Sequence, residues 1–242
     1  MTTNLVRRFS VLALVVVCSF AGSVWAADKN KPQFVVGLNT FEHYSVDSGQ
    51  VFHPDSVQQG FVGMTWHGVY GELWQGYSRT GSFGNETDFT VQYGHSLGHR
   101  LSLFTELLYV DVNSPVVPDV LQPTIGLSAG VKNTSITFKV KEPMQEGGGN
   151  QRWTYLELSA NHRWHLSQRG WFVNGNTVLI RDVDGAFGFN PAWVLELKPT
   201  VGFTVKGVTV NLIKYRYSFV AGNNGDGRKN GGTFGTGITY TF

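Results

Sequence analysis

The last nine residues of the chain, from Phe234 to Phe242, alternate between two kinds of side chain. Phe234, Ile238, Tyr240 and Phe242 fall on one face of an extended strand, and threonines and glycines fall on the other. Thr236 is the one polar interruption of the apolar face. A soluble core strand can alternate in this way, but chain ends usually fray, so a soluble domain rarely needs a large aromatic as its final residue. This terminal strand therefore constrains the fold more than any other segment.

The rest of the chain divides into about twelve segments of strand length in which apolar and polar residues alternate. These segments span residues 33–44, 58–67, 69–78, 86–96, 100–111, 121–131, 135–142, 151–163, 170–181, 192–204, 207–220 and 232–242. Connections after even-numbered segments are short, as at His67-Gly68 and Val205-Lys206, whereas those after odd-numbered segments are mostly longer. Tight periplasmic turns and long outer loops produce this alternation in membrane barrels. The sequence therefore predicts an all-β fold, a closed antiparallel transmembrane β-barrel of about twelve strands.

Charged residues follow one face of the predicted strands. In segment 192–204, Glu196 and Lys198 oppose an apolar face that runs from Trp193 to Phe203. Because lipid does not solvate charge cheaply, the charged face must point into the lumen. Pro199 lies within the same segment and lacks a donor for the β-ladder, so we expect a bulge or locally open pairing there.

Segment 207–220 changes phase in its middle. Its apolar residues occupy even positions up to Leu212 and odd positions from Ile213 onward. A one-residue bulge near Leu212 keeps both sets facing lipid and turns Lys214 and Arg216 inward, next to Glu196 of the preceding strand.

Aromatic residues near the strand ends predict two girdles at the membrane interfaces. The periplasmic girdle would contain Trp164, Trp171, Phe203, Tyr240 and Phe242, and the outer girdle Tyr44, Tyr77, Tyr109, Trp193 and Phe219.

The N-terminal segment has the pattern of a secretory signal peptide. Arg7 and Arg8 precede a short apolar run, and cleavage after Ala26 leaves a single barrel domain over residues 27–242. Cys18, the only cysteine, lies inside the leader, so the mature chain contains no cysteine. Removal of the leader leaves 17 basic and 17 acidic residues. This balance gives no basic surplus for nucleic-acid binding.

The terminal strand resembles the closing strand of bacterial outer-membrane β-barrel proteins, which ends in Phe with alternating apolar residues behind it. The resemblance implies that Phe242, Tyr240 and Ile238 form an assembly signal for the barrel-assembly machinery, and that the barrel lies in outer-membrane lipid. The stretch from Gly71 through Val112 and from Leu121 to Lys132 is also similar to porins of the TorF-like group. In those proteins, strands of similar length alternate with acidic and aromatic residues.

No strong catalytic, cofactor or metal motif occurs in the sequence, and we predict no enzymatic activity and no cofactor. His95-Ser96 and the group Ser159, Asn161 and His162 contain residue types that outer-membrane acyl hydrolases use, but both groups lie near the predicted periplasmic turns. A group of oxygen ligands in outer loops offers a calcium site, although turns also favour these residue types. Its members are Asp182, Asp184, Asn223, Asn224 and Asp226.

The charged lumen is the remaining candidate site. Strand parity turns acidic and basic residues inward, and in a wet pore such groups set ion selectivity through their field. The candidate pore-lining residues are Lys139, Lys141, Glu157, Arg163, Glu196, Lys198, Lys214 and Arg216, and by the same parity Glu72, Asp88 and Glu106 also face the lumen. The sequence predicts a porin-like channel for ions or small polar solutes. A structural or surface-binding barrel with a closed lumen is the alternative, and a lipid-modifying enzyme is a third possibility.

Overall fold

A computed structural model describes residues 31–45, 51–53, 56–78, 86–112, 118–145, 151–185, 190–221 and 230–242. The predicted signal peptide, residues 1–26, lies outside this described part, as do Asn223, Asn224 and Asp226 of the calcium hypothesis. The barrel strands are β1 (Gln33–Phe41), β2 (Val57–Trp66), β3 (Val69–Ser78), β4 (Glu86–Ser96), β5 (Leu101–Val112), β6 (Val120–Val131), β7 (Thr134–Lys141), β8 (Tyr155–His165), β9 (Trp171–Asp182), β10 (Ala192–Leu197 and Thr200–Val205), β11 (Val208–Ala221) and β12 (Gly231–Thr241).

Each strand pairs antiparallel with its neighbours in the sequence, and β1 pairs with β12, so the described strands form a closed barrel of twelve. The closing register runs from Val35 opposite Thr241 to Phe41 opposite Gly235. Two short pieces lie outside this ring of strands. Tyr44–Ser45 and Val51–His53 form a small hairpin of their own, and Met144–Gln145 continues the pairing of β7 along β6. The predicted fold is confirmed.

The five short connections all lie at one end of the barrel and consist of tight turns. His67 and Gly68 both have positive φ angles, 48° and 82°, and Lys206 and Gly207 have 47° and 82°. Two residues with positive φ form the turn type that matches the twist of antiparallel strands. The strand ends that the longer connections join lie at the opposite end, so the predicted alternation of short and long connections is confirmed.

Apolar residues on the described strands cover the outside of the barrel. On β6, Ile125 and Leu127 point outward and are 50% and 40% exposed. Thr124 of the same strand points inward and is 4% exposed. The same alternation holds on β10, where Trp193 and Leu195 point outward and Val194 and Glu196 inward. Among the described residues, no helix is long and apolar enough to cross a membrane.

The predicted bulge lies in β11. Asn211 pairs with Gly237, and the next pair, Lys214 with Gly235, uses one residue more on β11 than on β12. Leu212 and Ile213 both face outward and are 46% and 50% exposed. The bulge therefore keeps both apolar sets on the lipid side and turns Lys214 inward, as the phase change predicts.

The β-ladder is interrupted at Lys198 and Pro199, where β10 divides into two parts. The neighbouring backbone groups still have partners, because Lys198 N donates to Asn176 O at 2.7 Å and Tyr215 N donates to Pro199 O at 3.0 Å. The open pairing predicted at this proline is confirmed, and it loses only the donor that proline lacks.

Aromatic side chains lie at both ends of the outer surface. At the turn end, the rings of Trp171 and Phe203 are 5.3 Å apart, and the ring of Phe242 lies 5.7 Å from that of Phe34. At the loop end, the rings of Tyr217 and Phe219 are 4.5 Å apart. Tyr77, Tyr109 and Trp193 also lie at this end, and the side chain of Tyr44 is outside the described part. Trp and Tyr are enriched at the membrane interface because each combines an apolar ring with a polar group.

Candidate functional site: the charged lumen

The inner wall formed by β10 and β11 is organised around one carboxylate, Glu196, whose side chain is fully buried. Lys198 Nζ lies 2.7 Å from Glu196 Oε2, and Arg216 donates to Oε1 at 2.6 Å. Ser218 Oγ donates to the same Oε1 at 3.2 Å. A buried charge is stable only when it is paired and hydrogen-bonded, and Glu196 satisfies this condition. The side chain of Lys198 remains 26% exposed, so the lumen contacts the cation and not the carboxylate.

Lys214, the fourth residue predicted on this wall, turns away from Glu196 toward β1. Its Nζ donates to Asn39 Oδ1 at 2.9 Å and lies 5.2 Å from the centre of the Phe41 ring. Glycines at 235 and 237 of the intervening strand β12 make room for this contact, because a Cβ at Gly237 would lie 2.2 Å from Asn39 Oδ1. The structure therefore brings three of the four residues together and places Lys214 at the seam where the barrel closes.

A second group of charges lies on β7 and β8. Both Lys139 and Lys141 contact Glu157; Lys139 Nζ is 3.6 Å from Oε1, and its side chain is 25% exposed. Nearer the turn end, Arg163 donates to Thr204 Oγ1 at 3.1 Å and lies 3.8 Å over the ring of Phe172. All eight candidate pore-lining residues therefore point inward, on walls built by β7, β8, β10 and β11.

The opposite part of the lumen is acidic. Glu72, Glu86, Asp88 and Glu106 lie on β3, β4 and β5, in registers that place them on one wall. The Tyr70 hydroxyl donates to the Glu72 carboxylate. In a ring of twelve strands, β4 lies across from β10, so these carboxylates face the basic wall.

Both signs occur on β7 to β11, where Glu157 and Glu196 pair with basic residues, whereas the described inward charges of β3 to β5 are all carboxylates, so there is a separation of the basic residues from the acidic wall. A signal for the separation exists in the sequence, since strands β1 to β6 contain no Lys or Arg at all. The first six strands and the last six strands form opposite sides of the closed ring. This difference in composition along the chain therefore becomes a difference between two walls of the lumen.

An apolar group lines the loop end of the lumen on β8 to β10. Trp153, Tyr155, Val178, Ile180 and Val194 pack together, and each is at most 8% exposed. Val194 lies two residues from Glu196, so this apolar group lies on the loop side of the buried ion pair. Sequence reasoning missed it, although three consecutive inward positions of β8 and its approach, at 153, 155 and 157, include two aromatic residues.

The residues considered for catalysis do not form a triad. Ser159 Oγ donates to the Thr137 carbonyl on the inner side of β8, whereas His162, of opposite parity, has Nδ1 2.7 Å from Thr134 Oγ1. Ser96 Oγ donates to the Gly98 carbonyl in its own turn. Asp182, from the calcium hypothesis, accepts a hydrogen bond from Gly185 N at 2.9 Å. The described residues contain no group of three or more metal-ligating side chains placed to hold a metal ion.

No protein-family model and no curated protein matches the chain. Solved structures of similar fold include the NanC porin, with 13% identity, a TM-score of 0.58 and coverage of 87% of this chain and 99% of that porin. The KdgM porin has 8% identity, a TM-score of 0.56 and coverage of 87% and 99%.

An outer membrane channel from Pseudomonas putida F1 has 8% identity, a TM-score of 0.58 and coverage of 93% and 100%. At these identities the likeness shows the fold alone, and the similarity to the TorF-like group stays a prediction. The twelve-strand ring, the apolar exterior and the aromatic rims agree with the likeness. The chain therefore has the fold of an outer-membrane porin.

Proposed function

We propose that the protein is an outer-membrane channel for the passive passage of ions and small polar solutes. The observation that supports this most directly is the arrangement of charge inside the barrel. Carboxylates on β3 to β5 face lysines and arginines on β7, β8, β10 and β11 across the lumen. A dry, packed interior pairs opposite charges locally, as Glu157 and Glu196 are paired on the basic wall. The carboxylates of β3 to β5 have no lysine or arginine on strands β1 to β6, and a wet pore can keep such charges on a separate wall and use their field.

The basic wall gives this channel a preference for anions. Glu196 and Glu157 are buried beneath their cationic partners, while Lys139 and Lys198 keep about a quarter of their side chains exposed. A solute that follows this wall therefore meets positive charge first. A KdgM porin structure is described as a complex with disordered oligogalacturonate. Small anionic solutes, including acidic sugars, are the class of solute that this wall would favour.

Single-channel recording of the refolded protein in a planar bilayer tests the proposal. An open lumen should give discrete conductance steps, and a potassium chloride gradient across the bilayer should give a reversal potential of the sign expected for anion preference. Protein that inserts, as shown by protease protection of its strands, and yet gives no conductance steps at any applied voltage would contradict the channel function.

A structural barrel with a closed lumen is the second candidate, and the apolar group at the loop end favours it. Trp153 and Val194 are 5% and 0% exposed, and both point into the barrel. Apolar side chains inside a water-filled pore are costly unless something covers them. If this group closes the lumen, the wild type should not conduct and Trp153→Ala should open a measurable conductance. In an open channel the same substitution should change the conductance only slightly.

Several further expectations belong to this proposal. Export would use the signal peptide over residues 1–26, leaving residues 27–242 as the barrel domain. Phe242, Tyr240 and Ile238 would be recognised by the barrel-assembly machinery, and membrane lipid would cover the apolar exterior. We expect no catalytic activity, because Ser159 and His162 lie on opposite faces of β8. We also expect no cofactor and no nucleic-acid partner.

A further inference from the structure

The short turns at one end of the barrel carry a ring of positive charge. Four of the five turns contain a lysine or arginine, and all four of these residues are exposed. We call Arg100, Lys132, Arg169 and Lys206 the turn ring. The turns span residues 67–68, 97–100, 132–133, 166–170 and 206–207, and none of them contains an aspartate or glutamate. Within the described residues, the structure gives none of the four cations an acidic partner.

The loop end of the barrel differs from the turn end, because it contains acidic residues and its described cations have partners. Carboxylates are present there, including Asp119 and Glu142, and the described cations have partners. Arg152 forms an ion pair with Glu142, and Arg181 lies 5.5 Å from the centre of the Trp193 ring. Among the described residues, charge is therefore unevenly distributed along the barrel axis, and the positive end is the turn end.

The turn ring lies at the depth of the lipid headgroups. Each of its members is within two residues of an outward-facing apolar side chain: Leu101, Val131, Trp171 and Val205 are between 37% and 49% exposed. A strand advances about 3.3 Å per residue, so the charges stand less than about 7 Å beyond the last apolar contact. Turns this short reach no further into the periplasm. The nearest large source of negative charge is the membrane surface itself.

Backbone conformation gives a second, independent indication. Lys132 and Lys206 have φ angles of 54° and 47°, in the left-handed region that suits Gly, Asn or Asp. A lysine there costs backbone free energy and contributes nothing to the turn that asparagine would not contribute better. Such strain is most easily explained where the side chain itself has a use.

We infer that the turn ring binds the headgroups of anionic phospholipids in the periplasmic leaflet of the membrane. Phosphate oxygens of these headgroups would accept hydrogen bonds from the lysine and arginine side chains. The neighbouring Trp66, Trp164 and Trp171 would anchor the same interface through their rings. The binding goes beyond the proposed channel function and holds whether or not the lumen conducts.

Quenching of tryptophan fluorescence by brominated lipids measures this binding. The protein is refolded into vesicles that contain brominated phosphatidylglycerol or brominated phosphatidylcholine, in a Trp193→Phe background that removes the described outward-facing tryptophan at the loop end. We expect the parent protein to bind phosphatidylglycerol about fivefold more strongly than phosphatidylcholine, which corresponds to ~1 kcal/mol. High salt should reduce the preference, because it screens exposed charges.

The critical variant combines Arg100→Gln, Lys132→Asn, Arg169→Gln and Lys206→Asn. Asparagine tolerates the left-handed backbone, so the two turns should form at least as readily as in the parent. The lipid preference should fall to about equal binding of the two lipids. A matched control, Arg152→Gln with Arg181→Gln, removes two cations at the loop end and should keep the preference.

Two results would overturn the inference. One is equal quenching by the two lipids in the parent protein at low salt. The other is a preference for phosphatidylglycerol that survives in the four-residue variant. If that variant changes the reversal potential of the channel but leaves lipid binding unaltered, the turn ring serves permeating anions and the lipid assignment is wrong.

Discussion

Thr236 shows how one polar residue can belong on a face that contacts lipid. It interrupts the apolar row of β12, and its Oγ1 donates to the Asn211 carbonyl at 2.7 Å. Asn211 is the residue at which the bulge in β11 begins, so its carbonyl lies where the regular ladder is disrupted. In hydrocarbon, water cannot satisfy such a group. Thr236 on β12 therefore supplies the hydrogen bond that the bulge in β11 would otherwise leave unmade.

Thr236→Val should destabilise the barrel, since the side chain keeps its shape and loses the hydroxyl. An unsatisfied carbonyl costs ~1–3 kcal/mol, which sets the expected loss in free energy of unfolding. Reversible urea unfolding in lipid vesicles would measure it. Thr236→Ser is the matched control because it keeps the donor, and it should lie close to the wild type. Equal stability of the Val and Ser variants would show that the carbonyl does not depend on Thr236.

At the closing seam, where β12 lies between β11 and β1, backbone packing of β12 allows a contact between lumen side chains of the two neighbouring strands. Gly235 and Gly237 leave a groove on the inner face of β12, and Lys214 and Asn39 meet across it. At Gly235 a Cβ would lie 2.5 Å from the Thr40 carbonyl oxygen, which is backbone and cannot rotate away. The glycines of the terminal strand thus have a packing reason that a pattern of alternation does not reveal.

Gly235→Ala should therefore disturb the pairing of β1 with β12. Overpacking of this kind costs ~1–3 kcal/mol, and unfolding in vesicles should show a loss in that range. Gly231→Ala is a control in the same strand, since a Cβ there would meet no atom within 4 Å. If the two variants unfold at the same urea concentration, the groove at Gly235 is wider than the structure indicates.

Substitution of Phe242 should affect assembly into the outer membrane more than the stability of the finished barrel. Phe242 is 67% exposed, and its ring lies 5.7 Å from that of Phe34 and 6.2 Å from that of Tyr240. Because two thirds of its surface is exposed, we expect the side chain to contribute little to the stability of the finished barrel. As a hypothesis, Phe242→Ser should lower the amount of protein in the outer membrane several-fold while changing the unfolding of refolded protein by less than ~1 kcal/mol.

Cell fractionation followed by immunoblotting would measure the assembled amount. Phe34→Ser removes the same ring pair but leaves the end of the chain intact, so it should assemble normally. Normal outer-membrane levels of the Phe242→Ser protein would show that the assembly signal lies elsewhere.

At the scale of the whole molecule, alternation and loop length predicted the barrel, its strand count, the bulge at Leu212 and the interruption at Pro199. All of these depend on residues close together in the sequence. The pairing of inward side chains was harder to predict, because Lys214 and its partner Asn39 are 175 positions apart. Only the closed ring shows that Lys214 lies beside β1, and only the register shows that Glu196 is shared by two cations.

The separation of charge between two walls is the property from which the proposed function follows. Neutralising one wall should shift selectivity in one direction, and neutralising the other wall should shift it in the opposite direction. Arg163 and Lys214 suit the test on the basic wall, since their described contacts are with Thr204, Phe172, Asn39 and Phe41 and not with a buried carboxylate. Arg216 stays intact, because removing a partner of a buried charge costs ~3–5 kcal/mol and would confuse folding with selectivity.

The reversal potential in a potassium chloride gradient is the most direct measurement. The wild type should prefer anions weakly, and Arg163→Gln with Lys214→Gln should move the potential toward cation preference. Glu72→Gln with Glu106→Gln should move it toward stronger anion preference. Identical potentials in all three proteins, or the absence of conductance in inserted wild-type protein, would contradict a lumen whose two walls control the passage of ions.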